Sequence, residues 1–139
     1  MKTRPFFVYG TLKVGGTLSH RFDEFRESCV EGVLPGYALY DLGWFPGIIK
    51  DSEEEVFGEI HTYNEEYYGR VLTTFDNIEG YSDFSRAQSL YLRDVVHVVD
   101  ENNNKVCCNC YIFNNARKKS MKTYNIIPNG IWDITFRSN

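Results

Sequence analysis

The residues of this chain that most often carry chemistry are its histidines and cysteines, and their spacing is the first question. The sequence contains three histidines and four cysteines, which are His20, His61, His97, Cys29, Cys107, Cys108 and Cys110. A cysteine beside a histidine could act as an activated nucleophile, and a cluster of both could bind zinc. No second Cys/His pair lies at ligand spacing, and local spacing gives neither His61 nor His97 an evident cysteine or carboxylate companion. We therefore expect structural histidines, reduced thiols and no metal site.

The usual signatures of enzymes are also missing from the sequence. There is no Gly-x-Ser-x-Gly elbow, no phosphate-binding glycine-rich loop and no His-Glu-x-x-His motif. One local feature stands out, because the apolar run after Pro5 stops at Tyr9-Gly10 and is followed by small polar residues and a lysine. By itself Gly10 indicates a tight turn or the close approach of another group.

The elements that must position these residues are mostly strands. Apolar runs and alternating patterns predict strands, whereas apolar residues at helical spacing predict two helices, the second capped by Asn64 and ended by Gly80. The predicted strands are 5–9, 30–41, 48–49, 55–63, 89–100 and 106–114, and the first helix is 17–27 with Thr17 as its cap. An apolar patch at 131–136 could add an edge strand or cover an opening. The pattern favours a strand-rich α+β fold.

Composition narrows the class of protein. A chain of 139 residues with 42% apolar and 16% aromatic residues predicts one globular domain, 1–139, with a core large enough for a pocket. The net charge of −4 argues against nucleic acid or an anionic membrane as a partner. The crowded cysteines do not resemble a secreted disulfide framework, and no signal peptide precedes them, so we expect a cytoplasmic protein.

Several stretches match one known family in chain order. "VYGTLK", "FPGIIKD" followed by "VFGEIHTY", "LTTFDNIEGY" and "YLRDVVHVV" together resemble the gamma-glutamylcyclotransferase-like proteins, also called AIG2-like or BtrG-like, over residues 5–113. The resemblance implies a small mixed β-barrel-like sheet flanked by helices. It also implies an enzyme that cyclises a gamma-glutamyl group and releases 5-oxoproline and an amine or amino acid, without a metal or organic cofactor. The expected partner is a small gamma-glutamyl compound.

The resemblance assigns the general acid/base to Glu79 of "NIEGY". A carboxylate with a raised pKa in a partly dry pocket could take a proton from the substrate's alpha-amine and return it to the leaving nitrogen. The alternative is that Glu79 is a solvated group beside a helix-ending glycine. The other acids are poorer candidates, because 53–55 reads as a solvated turn, and Glu65 and Glu66 suit a helix start.

The resemblance also suggests how substrate is held. Backbone N–H groups of Gly10, Thr11 and Leu12 could form a nest for the substrate carboxylate or for the oxyanion, unless this is a simple glycine turn. Ring-bearing or proline residues that could line the cavity or belong to the core are Tyr9, Phe45, Pro46 and Tyr111. The family tyrosine that follows the Glu-Gly pair reads here as Phe84, followed by Arg86.

Two hypotheses from different classes follow. The first is a gamma-glutamyl cyclotransferase-type enzyme with Glu79 as acid/base, acting on a gamma-glutamyl-amine or gamma-glutamyl-amino acid. The second is a non-catalytic small-molecule binding protein on the same fold, because one fold can host several functions. The presence of both the Gly10 loop and Glu79 favours the enzyme.

Overall fold

The computed structural model describes residues 3–10, 19–43 and 45–132. The strands are β1 (Phe6–Val8), β2 (Arg26–Asp41), β3 (Pro46–Tyr63), β4 (Tyr91–Asp100), β5 (Lys105–Phe113) and β6 (Asn125–Ile126), and the α-helix is α1 (Tyr68–Glu79). Short 3-10 helices are Ser19–Phe25, Glu65–Tyr67, Asp83–Gln88 and Asn115–Ser120. Thr11, Leu12 and Thr17, to which the sequence assigns roles, lie outside the described residues.

Five strands close into a barrel. The neighbours run β3, β1, β5, β4, β2, and β2 pairs again with β3, while β6 extends the sheet beside β2. β1 and β5 are parallel where Phe6 meets Asn109, and the other pairs are antiparallel. The predicted mixed, barrel-like α+β fold is therefore confirmed. No helix within the described ranges has the length and apolar character that crossing a bilayer requires.

Two local predictions differ from the structure. The first predicted helix is a 3-10 helix that ends at Phe25, because the chain enters β2 at Arg26 and its backbone pairs with Tyr63. Residues 53–55 are not a turn but part of β3, although residues 51–54 have no partner in β2 because the register shifts between the pairs Tyr37–Lys50 and Pro35–Glu55. The edge strand in the described part of the tail is Asn125–Ile126; residues 133–136 lie outside the described residues, so a strand or cover at 131–136 stays a prediction.

Alternation along the strands divides the core into two layers. Phe6 and Val8 of β1 join the residues that pack under α1, whereas Phe7 between them joins the cluster that fills the barrel. Cys108 and Cys110 belong to the barrel cluster, as does Trp132, which is almost fully buried. The outer cluster is rich in aromatic rings that meet edge to face, which adds to the energy gained from burial alone.

Helix α1 is placed by its ends and by its apolar face. Asn64 accepts a hydrogen bond from the backbone N–H of Glu66 at 2.8 Å and so caps the short 3-10 turn that leads into α1. Phe75 is fully buried, and its ring centroid lies 4.6 Å from that of Phe6. Gly80 ends the helix in the left-handed conformation, with φ 66° and ψ 39°, which a residue without a Cβ adopts at little cost. The last helical residue is thereby fixed beside the barrel.

Candidate functional site

A cavity of about 250 Å³ opens where the end of β1, the start of β3, the end of α1 and the start of β4 meet. The residues predicted from the sequence that line it are Tyr9, Gly10, Phe45, Pro46, Glu79 and Tyr111. Most of the remaining wall is apolar, including Ile78 and Leu90. Such a volume suits a small metabolite and is slightly below the usual size of pockets for drug-sized ligands, about 300 to 1,000 Å³.

Glu79 is the acidic residue in the wall of this cavity. It is the last residue of α1, and the left-handed turn at Gly80 carries the chain away from the carboxylate. The side chain is partly buried, and removal of the carboxylate from water raises its pKa from 4.5 to about 7. Among the described residues, no charged or hydrogen-bonding neighbour offsets this effect of burial. A carboxyl group with such a pKa can both accept and donate a proton near neutral pH.

Two tyrosines, Tyr9 and Tyr91, give the cavity a fixed shape. The Tyr9 hydroxyl donates to the backbone carbonyl of Tyr111 at 2.6 Å, and the Tyr91 hydroxyl donates to the carbonyl of Pro46. Burial raises the pKa of Tyr9 and Tyr91 well above the usual value, so these phenols stay protonated. Because each hydroxyl donates to a backbone carbonyl, both rings are held in place.

The role of Gly10 has a steric basis in the structure. A Cβ atom built on Gly10 would lie 2.6 Å from Cγ of Pro46, closer than any real contact, and the proline ring has little freedom to move away. Gly10 therefore allows β1 to approach the Pro46 ring, and the two residues together form one wall of the cavity. The predicted nest also involves Thr11 and Leu12, which lie outside the described residues, so the nest stays a prediction.

A polar network lies behind the Tyr111 wall. The Tyr111 hydroxyl donates to Oδ1 of Asp76 at 2.5 Å, and the guanidinium of Arg93 lies 3.3 Å from Oδ2 of the same carboxylate. Arg93 also lies 3.6 Å from Asp83, and its guanidinium is 5.3 Å from the centre of the Tyr81 ring. This network connects α1 to β4 and β5 and holds Tyr111 against the cavity.

The sequence analysis did not predict that Tyr91 belongs to the cavity. It assigned the tyrosine position after the Glu-Gly pair to Phe84, but the Phe84 side chain is fully exposed, whereas Tyr91 lines the cavity. The 3-10 segment Asp83–Gln88 lies between the Glu-Gly pair and β4, which begins at Tyr91. The pair Tyr91 and Arg93 at the start of β4 was the available signal, since it repeats the order of tyrosine followed by arginine.

Two histidines have companions that local spacing did not reveal. His61 lies 3.0 Å from Glu59 and close to Cys29, and Nδ1 of His97 lies 3.4 Å from Sγ of Cys107. The sequence prediction is therefore wrong for His61, because Glu59 lies two positions earlier on the same face of β3. The cysteines reach His61 and His97 across paired strands, which local spacing does not show. Both groups lie outside the lining of the Glu79 cavity.

Comparisons with known proteins agree with this architecture. The family model described as "Gamma-glutamyl cyclotransferase, AIG2-like" matches residues 6–134. A curated relative from Vibrio cholerae, named "Putative gamma-glutamylcyclotransferase", is 37% identical over 60 residues, which are 42% of this chain and 50% of the relative. The match thus covers half the length of that relative.

Solved structures share the fold. A solution structure from Arabidopsis thaliana is 27% identical with a TM-score of 0.66, and the match covers 98% of this chain and 73% of that one. The crystal structure of an AIG2-like protein from Mus musculus is 21% identical with a TM-score of 0.61, and the match covers 95% of both chains. At this identity the mouse protein supports the fold alone.

Proposed function

The chain belongs to the AIG2-like gamma-glutamyl cyclotransferase family, and we propose that it is an enzyme that cyclises the gamma-glutamyl group of a small molecule. The substrate's alpha-amine attacks its own gamma-carbonyl carbon, so that a ring C–N bond forms. The bond from that carbon to the leaving nitrogen then breaks, and 5-oxoproline and an amine or amino acid are released. A cytoplasmic location stays a prediction from the sequence.

The observation that carries the proposal is the Glu79 carboxylate in the wall of a small cavity, with its pKa raised to about 7 by burial. The alpha-amino group of a gamma-glutamyl compound lies beside a free alpha-carboxylate and is a stronger base than Glu79, but each unit by which burial raises the pKa of Glu79 makes transfer of the ammonium proton about tenfold less unfavourable. A carboxylate with an ordinary pKa would be a much weaker base toward this ammonium group. The raised pKa of Glu79 therefore matches the proton that the reaction must move.

Proton balance gives Glu79 two successive roles. The ionised carboxylate removes one proton from the substrate's ammonium group, and the free amine attacks the gamma-carbonyl. The protonated Glu79 then donates this proton to the leaving nitrogen as the bond to the carbonyl carbon breaks. The ring nitrogen gives up its second proton through Glu79 to the released amine, which leaves as an ammonium ion. Glu79 ends the cycle ionised, so the proposed reaction consumes no external acid or base.

The cavity walls provide the positioning that cyclisation needs. Tyr9, Phe45, Pro46 and Tyr111 restrict the substrate to a compact pose, in which the amine and the gamma-carbonyl meet more often than in a free chain. Backbone N–H groups from Gly10 onward are the proposed donors to the developing oxyanion. Each such donor contributes about 3 kcal/mol of transition-state stabilisation in well-studied acyl-transfer enzymes.

The test is turnover of a panel of gamma-glutamyl-amines and gamma-glutamyl-amino acids, with release of 5-oxoproline measured by chromatography. We expect at least one compound to be turned over, and Glu79→Gln to lower kcat by roughly 10²- to 10⁴-fold, the usual contribution of general acid/base catalysis. Glu66→Gln is the matched control, because Glu66 is an exposed acid at the other end of the same helical segment.

Two results would overturn the proposal. Full activity in a folded Glu79→Gln variant would remove Glu79 from the mechanism. If no compound is cyclised but several bind with similar affinity to wild type and variant, the chain is a binding protein on this fold, as the second sequence hypothesis holds.

A further inference from the structure

A second group of chemically active side chains lies on the outer face of β2 and β3. Cys29 and His61 are direct cross-strand partners, and Glu59 precedes His61 by two positions, so all three side chains project from the same face. Their ligand atoms lie within 4.8 Å of one another. Thiol, carboxylate and imidazole groups at such distances are the set that binds divalent transition metals in proteins.

His61 is oriented for ligation at Nε2. Its side chain is fully buried, with Nε2 3.0 Å from Oε1 of Glu59 and Nδ1 3.1 Å from the hydroxyl of Tyr63. Histidine ligands usually have their second ring nitrogen held by an outer hydrogen-bond partner, which fixes the tautomer and the plane of the ring. Tyr63 is in the position to do this for His61.

We propose that Cys29 Sγ, a Glu59 carboxylate oxygen and His61 Nε2 form a binding site for one zinc ion, with water in the fourth position. Tetrahedral bonds of about 2.0 to 2.3 Å place neighbouring ligand atoms about 3.4 Å apart. Cys29 is exposed and Glu59 only partly buried, so both can make the small adjustment around the fixed imidazole.

Metal binding has a clear proton balance at this site. Zinc replaces the proton of the Cys29 thiol, which leaves as a hydrated proton, and it occupies the Nε2 lone pair of a neutral imidazole. The remaining imidazole proton is then on Nδ1 and is donated to the Tyr63 oxygen. Glu59 exchanges its contact with His61 for a bond to the metal and contributes a negative charge.

The surroundings of the site favour a cation that arrives from solvent. Glu59 also lines a surface depression of about 410 Å³ whose other acidic residues are Glu31, Asp100 and Glu101. Arg26 is a positive neighbour of Cys29, and its guanidinium lies 2.8 Å from Asp23. None of the three proposed ligands lines the Glu79 cavity, so the proposed metal site is separate from the proposed reaction.

The experiment titrates chelator-treated protein with zinc chloride in a calorimeter and compares three variants. We expect one zinc per chain for wild type, and a loss of affinity of at least tenfold in Cys29→Ser and in Glu59→Gln. Cys107→Ser is the matched control, because Cys107 is also exposed and lies beside His97, and it should bind zinc as wild type does. Circular dichroism checks that each variant folds.

A second measurement uses thiol chemistry. Zinc should slow alkylation of Cys29 by a maleimide at least tenfold while leaving alkylation of Cys107 unchanged, as peptide mass spectrometry would show. The proposal is wrong if Cys29→Ser binds zinc as tightly as wild type, if zinc binding is lost in Cys107→Ser instead, or if Cys29 reacts at the same rate with and without zinc. Turnover of gamma-glutamyl compounds plays no part in either measurement.

Discussion

Asp76 and Glu79 lie three residues apart in the last turns of α1, and both carboxylates are partly buried near Tyr111. Asp76 accepts a hydrogen bond from the Tyr111 hydroxyl at 2.5 Å and lies 3.3 Å from the guanidinium of Arg93. Glu79 faces the cavity, and burial is the cause that raises its pKa to about 7. The two acids thus share a helix but differ in their partners.

The difference shows what separates a structural acid from a reactive one. Burial raises the pKa of Asp76 as well, but the Tyr111 hydroxyl and the Arg93 charge both lower it and oppose the effect. Asp76 therefore has a structural role, because its contacts hold Tyr111 in the cavity wall. Glu79 keeps its carboxylate available and has the pKa that proton transfer near neutral pH requires.

The largest expected effect on stability comes from removal of the partnered acid. Asp76→Ala leaves the guanidinium of Arg93 and the hydroxyl of Tyr111 partly buried without their main acceptor. Removal of one member of such a pair costs about 2 to 3 kcal/mol when both members retain some contact with water. Urea unfolding at pH 7 should show a loss of this size in the free energy of unfolding.

The matched control is Asp83→Ala, which removes another acid that interacts with Arg93. Asp83 lies 3.6 Å from the guanidinium, and its side chain is 67% exposed, so its loss should cost less than about 1 kcal/mol. Equal losses in the two variants would show that the Tyr111–Asp76–Arg93 contacts do not hold the cavity wall as described.

Glu79, whose pKa is raised by burial, should behave in the opposite way. The pKa of Glu79 is about 7 in the folded protein and 4.5 as a free side chain, so the folded state binds more protons between these values. Stability from this group is then fully present below pH 4.5 and is lost as the pH rises toward 7. Glu79→Gln avoids the burial of a charge and should raise the free energy of unfolding at pH 8 by about 2 kcal/mol.

The gain in stability of Glu79→Gln should depend on pH, which distinguishes it from a general stabilising effect of the substitution. At pH 4 Glu79 is protonated in both states, so Glu79→Gln and wild type should unfold at nearly the same urea concentration. Glu66→Gln, which changes an exposed acid, should show no gain at either pH. A Glu79→Gln variant less stable than wild type at pH 8 would indicate that the ionised carboxylate has a partner.

Much of the fold could be predicted because its patterns are local. Alternation in β3 and the Gly80 stop of α1 depend on residues close in sequence, and the structure has them as predicted. Asn64 also acts as a cap, but of the 3-10 turn Glu65–Tyr67 that precedes α1 rather than of the α-helix itself. The first helix failed as a prediction because Phe22 is buried from a 3-10 turn, which helical spacing alone does not distinguish from an α-helix. The closure of β2 on β3 required a register that no local pattern gives.

The same limit applies to the candidate site: residues in local motifs could be predicted, whereas contacts made through the fold could not. Family resemblance predicted Glu79 and the aromatic wall, and the structure brings these residues to one cavity. Tyr91 was missed because it lies eleven positions after Gly80, beyond the segment Asp83–Gln88, and only the fold brings it beside Glu79 in the cavity wall. Cys29 was missed as a companion of His61 because it reaches the histidine only across paired strands, whereas Glu59, two positions away on the same strand, could have been found from the sequence. Contacts between residues that are distant in the chain were therefore the main part of the site that the sequence did not predict.

The smallest expected effect tests whether the two acids of α1 are independent. The rate of 5-oxoproline release should rise with pH up to about 7, the pKa of Glu79, and then level off as Glu79 becomes fully ionised. Burial, and not the charge of Asp76, is the cause of the raised pKa of Glu79. Asp76→Asn should therefore move the midpoint by less than about 0.3 pH unit, or about 0.4 kcal/mol, even if it lowers stability. A downward shift of a full pH unit would mean that the charge of Asp76 helps to hold the proton on Glu79, and the separation into a structural and a reactive carboxylate would then fail.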